Sequence, residues 1–189
     1  TPYVHSLVEV TWARIWLAQS KWALLDNWAT DQLSILNATL KEKRPIDEFL
    51  EMRLIMLVRV CMEKTRIEKD PERYTDCLGL LEKLENSSQT AGRINSLVET
   101  LFLRAVILYV QGKKNEAVGD LDKCFSMAEP GGYMRIFLDT GEPARTLISS
   151  CLQDINPIHK SYALKILKSF GGFLPTNIHQ TKFAEAITP

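Results

Sequence analysis

The sequence has no excess of either charge, since 23 lysines and arginines balance 23 aspartates and glutamates over 189 residues. Binding to nucleic acid draws on a surplus of positive charge against the phosphates. It also has no long hydrophobic run, because Leu54–Val58 and Ala105–Val110 are far shorter than the roughly 20 residues of a bilayer-spanning helix. We therefore expect neither direct contact with nucleic acid nor a membrane span.

Cysteines are few and far apart. Three of the four fall on apolar helical stripes, where cysteine behaves as a small hydrophobic residue; the four are Cys61, Cys77, Cys124 and Cys151. This usage predicts a reducing, cytoplasmic location. The first residues contain neither a signal sequence nor a methionine, so we expect the chain to be an excised piece of a longer protein.

Features of catalytic and metal sites are also missing. His5, His159 and His179 form neither an i, i+4 pair nor a cluster with cysteine that suits zinc. The phosphate-binding pattern Gly-x-x-x-x-Gly-Lys-Ser/Thr does not occur, and no nucleophile stands beside a candidate base. Gly131-Gly132 is typical of a helix C-cap rather than a phosphate nest. The sequence predicts a protein that is not an enzyme, with no metal and no cofactor in this chain.

Helical periodicity, in contrast, runs through nearly the whole chain, and no alternating pattern indicates a strand. A capping-box spacing at Ser6–Glu9 predicts that a helix begins there. The first three predicted helices end near Gln19, Thr30 and Lys64. A fourth helix contains Tyr74–Leu84 and is apolar on one side. An interior helix, Leu97–Val110, and a helix with the apolar stripe Ala117–Ala128 follow it. Residues 31–47 have a less regular pattern. We interpret them as a connector that leads into the third helix.

The hairpin from Leu101 to Pro130 follows the tetratricopeptide (TPR) pattern, with small residues at Ala105 and Ala117. Ala13–Lys21 repeats Ala105–Lys113, with Ser20 standing in the place of Gly112. We therefore predict an all-α fold: a TPR-like superhelix, a right-handed stack of antiparallel helical pairs. It spans residues 1–172, and residues 173–189 form a C-terminal tail or linker.

Two breaks, at Pro130 and at Gly141-Glu142-Pro143, predict capping helices that close the hydrophobic end of the stack. The first is a short helix with Tyr133, Ile136 and Phe137 inward. The second helix begins at Pro143, and its inward stripe is Ala144, Leu147, Ile148 and Cys151. A last helix begins at Asn156-Pro157, turns Ala163, Ile166, Leu167 and Phe170 inward, and ends at Gly171-Gly172.

The strings AVILYVQGKKNEA (residues 105–117) and AEPGGYMRIFLD (residues 128–139) resemble the sensor region of MalT-like, ATP-dependent LuxR-type transcriptional regulators. The resemblance implies a bacterial regulator in which this region binds an effector or a partner protein. It also implies neighbouring modules, an upstream ATPase and a C-terminal helix-turn-helix that binds DNA. The alternative is a free-standing TPR-type scaffold that binds a peptide or protein partner. The sequence names neither the small-molecule effector nor the partner.

In TPR hairpins the first helix of each pair lines the concave face. This mapping predicts ligand or partner contacts at Val10, Arg14 and Leu17 in the first pair, and at Phe102, Val106 and Tyr109 in the third. The second set is apolar, so it either contacts a ligand or belongs to the core. The same two alternatives apply to the four tryptophans, Trp12, Trp16, Trp22 and Trp28, as core packing or as a wall for a ligand.

Overall fold

The computed structural model describes residues 2–69 and 72–171. Within these ranges the chain forms nine α-helices and one 3-10 turn, and it contains no strand. The helices are α1 (Pro2–Ala18), α2 (Trp22–Lys41), α3 (Glu48–Glu68), α4 (Arg73–Thr90), α5 (Ile94–Val110), α6 (Lys114–Ala128), α7 (Arg135–Leu138), α8 (Glu142–Cys151) and α9 (Lys160–Ser169), with the 3-10 turn at Pro157–His159.

Two predictions about helix bounds were wrong. Helix α1 begins before Ser6, which is buried inside it, so the predicted capping box does not form. Helix α2 continues to Lys41 instead of ending near Thr30. Its second half keeps a buried stripe at Gln32, Leu36 and Thr39, and tertiary packing of that stripe sustains the helix. The connector is therefore confined to residues 42–47, and Asp47 caps α3 by accepting a hydrogen bond from the Leu50 N–H (2.8 Å).

The turns that follow α1 and α5 have the same geometry. Ser20 and Gly112 both adopt left-handed backbone, with φ of 54° and 78°. In both turns the N–H of the next residue, Lys21 or Lys113, donates over 2.9 Å to the carbonyl oxygen five residues earlier. The turns after α2 and α4 share this geometry, with φ of 54° at Lys43 and 66° at Gly92, so the correspondence of Ala13–Lys21 with Ala105–Lys113 rests on the order in which the helices pack.

The helices stack as three antiparallel pairs, α1–α2, α3–α4 and α5–α6. The first helices contact one another in order, α1 with α3 and α3 with α5, and α8 packs beside α5 as the next member of the row. Helices α2 and α4 each pack against both their own partner and the first helix of the following pair. This is the arrangement of stacked helical repeats, and it confirms the predicted all-α, TPR-like fold.

The end of the stack is closed as predicted. Phe137 of α7 is fully buried and its ring meets Phe102 edge-on at a centroid distance of 4.8 Å. The Tyr162 hydroxyl of α9 donates to the carbonyl oxygen of Tyr133. The predicted inward stripe of α8 is buried throughout, whereas Phe170 is half-buried. Residues 173–189, the predicted tail, lie outside the described residues.

The buried side chains form two clusters that meet at α5. One cluster fills the space among α1–α4 and includes Leu103 and Ile107 of α5. The other fills the space between α5, α6 and the closing helices, and it includes Phe102 and Val106. As predicted for an interior helix, α5 is covered from more than one direction.

Candidate functional site

A cavity of about 550 Å³ lies where the first helices of the three pairs meet the closing segment, which consists of α7, α8 and the residues between them. Its size is within the range of small-molecule sites. The walls come from α1, α3 and α5, with contributions from α4, α7 and the start of α8. The lining residues are Arg14, Leu17, Ala18, Met56, Arg59, Met62, Glu63, Arg66, Tyr74, Leu103, Val106, Ile107, Val110, Arg135, Asp139, Thr140 and Pro143.

The floor of the cavity is apolar. Leu103, Val106 and Ile107 of α5, together with Met56 of α3, line it and are otherwise almost fully buried in the core. Val110, at the end of α5, is more than half exposed and adds apolar surface. The hydrophobic surface that a ligand can reach therefore comes from Val110, together with Leu17 and Ala18 of α1.

Arg59 connects three walls of the cavity. Its guanidinium forms a salt bridge with Glu99 of α5 (2.7 Å) and donates a hydrogen bond to Oγ1 of Thr140 (2.8 Å). The Thr140 hydroxyl in turn donates to the carbonyl oxygen of Ile136 in α7 (3.0 Å). These bonds link α3, α5 and the closing segment through one largely buried side chain.

Two further arginines are paired within their own helices. Arg66 lies 2.5 Å from Glu63, and this hydrogen-bonded carboxylate raises the pKa of Arg66. Arg135 and Asp139 form a weak i, i+4 pair at 3.4 Å, and the Arg135 side chain is 86% exposed. Burial raises the pKa of the Tyr74 hydroxyl, which remains protonated at neutral pH.

Arg14 differs from the other cavity arginines. Its side chain is exposed and has no salt bridge or hydrogen bond with any described residue. It lines both the main cavity and a neighbouring smaller one of about 190 Å³. Arg14 therefore presents an unpaired positive charge on the wall that separates the two spaces.

The six residues predicted to lie on the concave face are only partly brought together. Arg14, Leu17 and Val106 line the main cavity. Tyr109 lines a groove beside it, and Val10 lines the smaller cavity. Phe102 is fully buried against Phe137. For this residue the structure therefore supports the alternative in which the apolar set belongs to the core.

The sequence mapping missed the contribution of α3. Lys69 ends α3 in left-handed backbone (φ 55°), as Ser20 follows α1 and Gly112 follows α5. Arg59, Glu63 and Arg66 lie ten, six and three residues before Lys69. Val10, Arg14 and Leu17 lie at the same distances before Ser20, so the two sets are equivalent. Arg59, Glu63 and Arg66 all line the cavity. The signal was hidden because Lys69 stands where the other turns have Ser or Gly.

The remaining candidate sites give little chemistry. Among the described residues there is no group of three His, Cys, Asp or Glu side chains placed to hold a metal ion, and His179 lies outside them. The Gly131-Gly132 pair forms a helix C-cap, in which Gly132 has a φ of 64°. Trp28 is buried, and Trp16 and Trp22 pack against the buried cluster among α1–α4. Trp12 is half exposed, so the interpretation of the tryptophans as core residues fails for Trp12. No described helix is long and apolar enough to cross a bilayer.

Comparison with known proteins places this architecture in a family. No curated protein and no solved structure matches the chain. A family model described as the MalT-like TPR region matches residues 2–154, which include the three helical pairs, α7, α8 and the whole lining of the cavity. The chain therefore belongs to the MalT-like TPR region family.

Proposed function

We propose that this chain is the signal-sensing region of a MalT-like, LuxR-type transcriptional regulator. In this role it binds an effector or a partner protein and controls neighbouring ATPase and DNA-binding modules. Membership of the MalT-like TPR family supports the assignment, and TPR-like domains generally mediate protein interactions. The nucleotide and DNA chemistry belongs to modules outside this chain, whose own sequence has neither a phosphate loop nor a basic surplus.

The observation that carries the proposal is the position of the main cavity. Its wall includes the first helix of each pair and also Arg135, Thr140 and Pro143 of the closing segment. A ligand held there touches all three repeats and the elements that follow them at once. Its binding therefore favours one mutual arrangement of these elements over another, which is the requirement for a ligand-driven switch.

The Arg59 bonds supply a route from the cavity to the C-terminal side. A ligand group that competes for Arg59 weakens its bonds to Glu99 and Thr140. Because the Thr140 hydroxyl is bonded to α7, the closing segment then loses one of its attachments to α3 and α5. We propose that this change is passed to the module that follows.

The test uses the regulator that contains this chain. Ala18 is exposed at the end of α1 and lines the cavity, so Ala18→Trp fills the site without removing a charge. Ala38→Trp is the matched control, because Ala38 is exposed on α2 and outside the cavity. We expect Ala18→Trp to change ATP hydrolysis and DNA affinity several-fold, and Ala38→Trp to change neither.

The coding sequence on both sides of the chain gives a first and simpler check. A phosphate-loop ATPase upstream and a helix-turn-helix downstream are expected. If both are missing, the chain is instead the free-standing scaffold for a peptide or protein partner. If both modules are present but Ala18→Trp behaves like Ala38→Trp, the cavity does not control them.

A further inference from the structure

We propose that the main cavity binds a small anionic molecule with an apolar body, and that Arg14 is the residue that pairs with its negative group. The anion carries a carboxylate or a phosphate. This inference deepens the proposed function and rests on it for its biological meaning, although binding itself is measurable without it.

The charges of the cavity wall select an anion. Four arginines and two acidic residues line the cavity, so positive charge is in excess. Arg59, Arg66 and Arg135 each have an acidic partner, respectively Glu99, Glu63 and Asp139. Arg14 has none among the described residues, which leaves one guanidinium whose charge is not balanced within the site.

A guanidinium is suited to this role because its planar N–H groups bind a carboxylate or phosphate through two parallel hydrogen bonds. Because the Arg14 side chain is exposed, water screens part of its charge, and the two parallel hydrogen bonds carry the preference for an anion.

The apolar part of the cavity lining selects the rest of the ligand. Among the apolar residues that line the cavity, Val110 and Ala18 are exposed and Leu17 is half-buried, so these three present hydrophobic surface near the arginines. Burial of an apolar body against them is favourable by about 25 cal/mol per Å² of surface removed from water. An inorganic anion covers none of this surface, so we expect the apolar body to be required for tight binding.

Neutral and cationic molecules fit less well. A neutral molecule of the same shape gains the apolar contact but leaves Arg14 without a counter-charge. A cation meets the unbalanced like charge of Arg14. The order of affinity expected from the structure is therefore anion, neutral molecule, cation.

The experiment uses four probes that share a naphthalene body and differ in charge: 2-naphthoate, 2-naphthyl phosphate, 2-naphthalenemethanol and 2-(aminomethyl)naphthalene. Their dissociation constants for the full chain are measured by calorimetry. We expect at least one anion to bind at least tenfold more tightly than the alcohol, and the amine to bind most weakly. Comparison of the first two probes distinguishes a carboxylate from a phosphate ligand.

The variants then locate the charge. Arg14→Gln is expected to raise the dissociation constant of the preferred anion about tenfold, to that of the alcohol, and to leave the alcohol unchanged. Arg44→Gln is the control, since Arg44 is exposed and its acidic partner among the described residues is Glu42, near the end of α2. Neither residue is buried, so the melting temperature of both variants is expected to match that of the unsubstituted chain.

Three outcomes overturn the proposal: no anion binds at millimolar concentration, the alcohol binds as tightly as the anions, or Arg14→Gln has no more effect than Arg44→Gln. These failures are separate from failure of the proposed function. If the probes fail but Ala18→Trp still changes the neighbouring modules, the ligand class is wrong and the sensing role stands. If the anion binds through Arg14 but cavity filling changes nothing in the regulator, the site is real and the sensing role is wrong.

Discussion

Helices α1 and α5 occupy the same place in two repeats, yet their equivalent residues differ sharply in exposure. Ile15 of α1 is 37% exposed, whereas its equivalent Ile107 is fully buried. Val8 is 48% exposed, whereas its equivalent Thr100 is fully buried. Ile15 and Ile107 are the same residue type and Val8 is less polar than Thr100, so the polarity of these side chains does not explain the difference.

The difference comes from what lies beside each helix. Helices α3 and α4 of the preceding pair cover the outer face of α5. No described helix covers the outer face of α1, where Val4, Val8, Trp12 and Ile15 form an exposed apolar stripe. In a stack of repeats a position becomes core or surface through its neighbour, and the residue type alone does not decide which.

The largest effect is expected from Ile107→Ala. This substitution leaves a cavity where α5 packs into the buried cluster among α1–α4. We expect it to lower the free energy of unfolding by about 2–5 kcal/mol. Chemical denaturation of the chain measures the change. A loss below about 1 kcal/mol would show that the contact between the second and third pairs is looser than the structure has it.

An intermediate effect is expected at the turns. Gly112→Ser places a side chain in left-handed backbone and is expected to cost about 1 kcal/mol, while Ser20→Gly at the equivalent turn is expected to stabilise by a similar amount. Thermal unfolding of both variants gives the comparison. Changes of the same sign in both would contradict the equivalence of the two turns.

The smallest effect is expected from Ile15→Ala, the counterpart of Ile107→Ala in the first repeat. Because Ile15 is partly exposed and faces no described helix, we expect a loss of no more than about 0.5 kcal/mol. The denaturation experiment used for Ile107→Ala serves here as well. A loss as large as that of Ile107→Ala would mean that the outer face of α1 is covered in solution.

The parts of the fold that the sequence predicts correctly are those where apolar spacing is uninterrupted. The interior helix Leu97–Val110 and the inward stripe of α8 are of this kind. The second half of α2 was missed because Gln32 and Thr39 occupy buried positions, where periodicity of apolar residues gives no signal. Tertiary packing of α2 against the neighbouring helices overrides the weak local pattern.

The candidate site was predictable only in part for a related reason. Mapping from the TPR pattern located Arg14, Leu17 and Val106, because their repeats carry a recognisable turn. It did not locate Arg59 or Thr140, whose role depends on a contact between residues 81 positions apart in the sequence. Such a contact is set by how the closing segment folds back on α3, and no local spacing encodes it.

The position of α5 between the two buried clusters determines how the chain unfolds. Leu103 and Ile107 belong to one core and Phe102 and Val106 to the other, so the same helix completes both. If either core separates, α5 exposes a hydrophobic face that the other core does not cover, and the partly unfolded state is penalised. We therefore expect the two halves to melt together as one cooperative unit, although the chain is built from repeats that in principle unfold one after another.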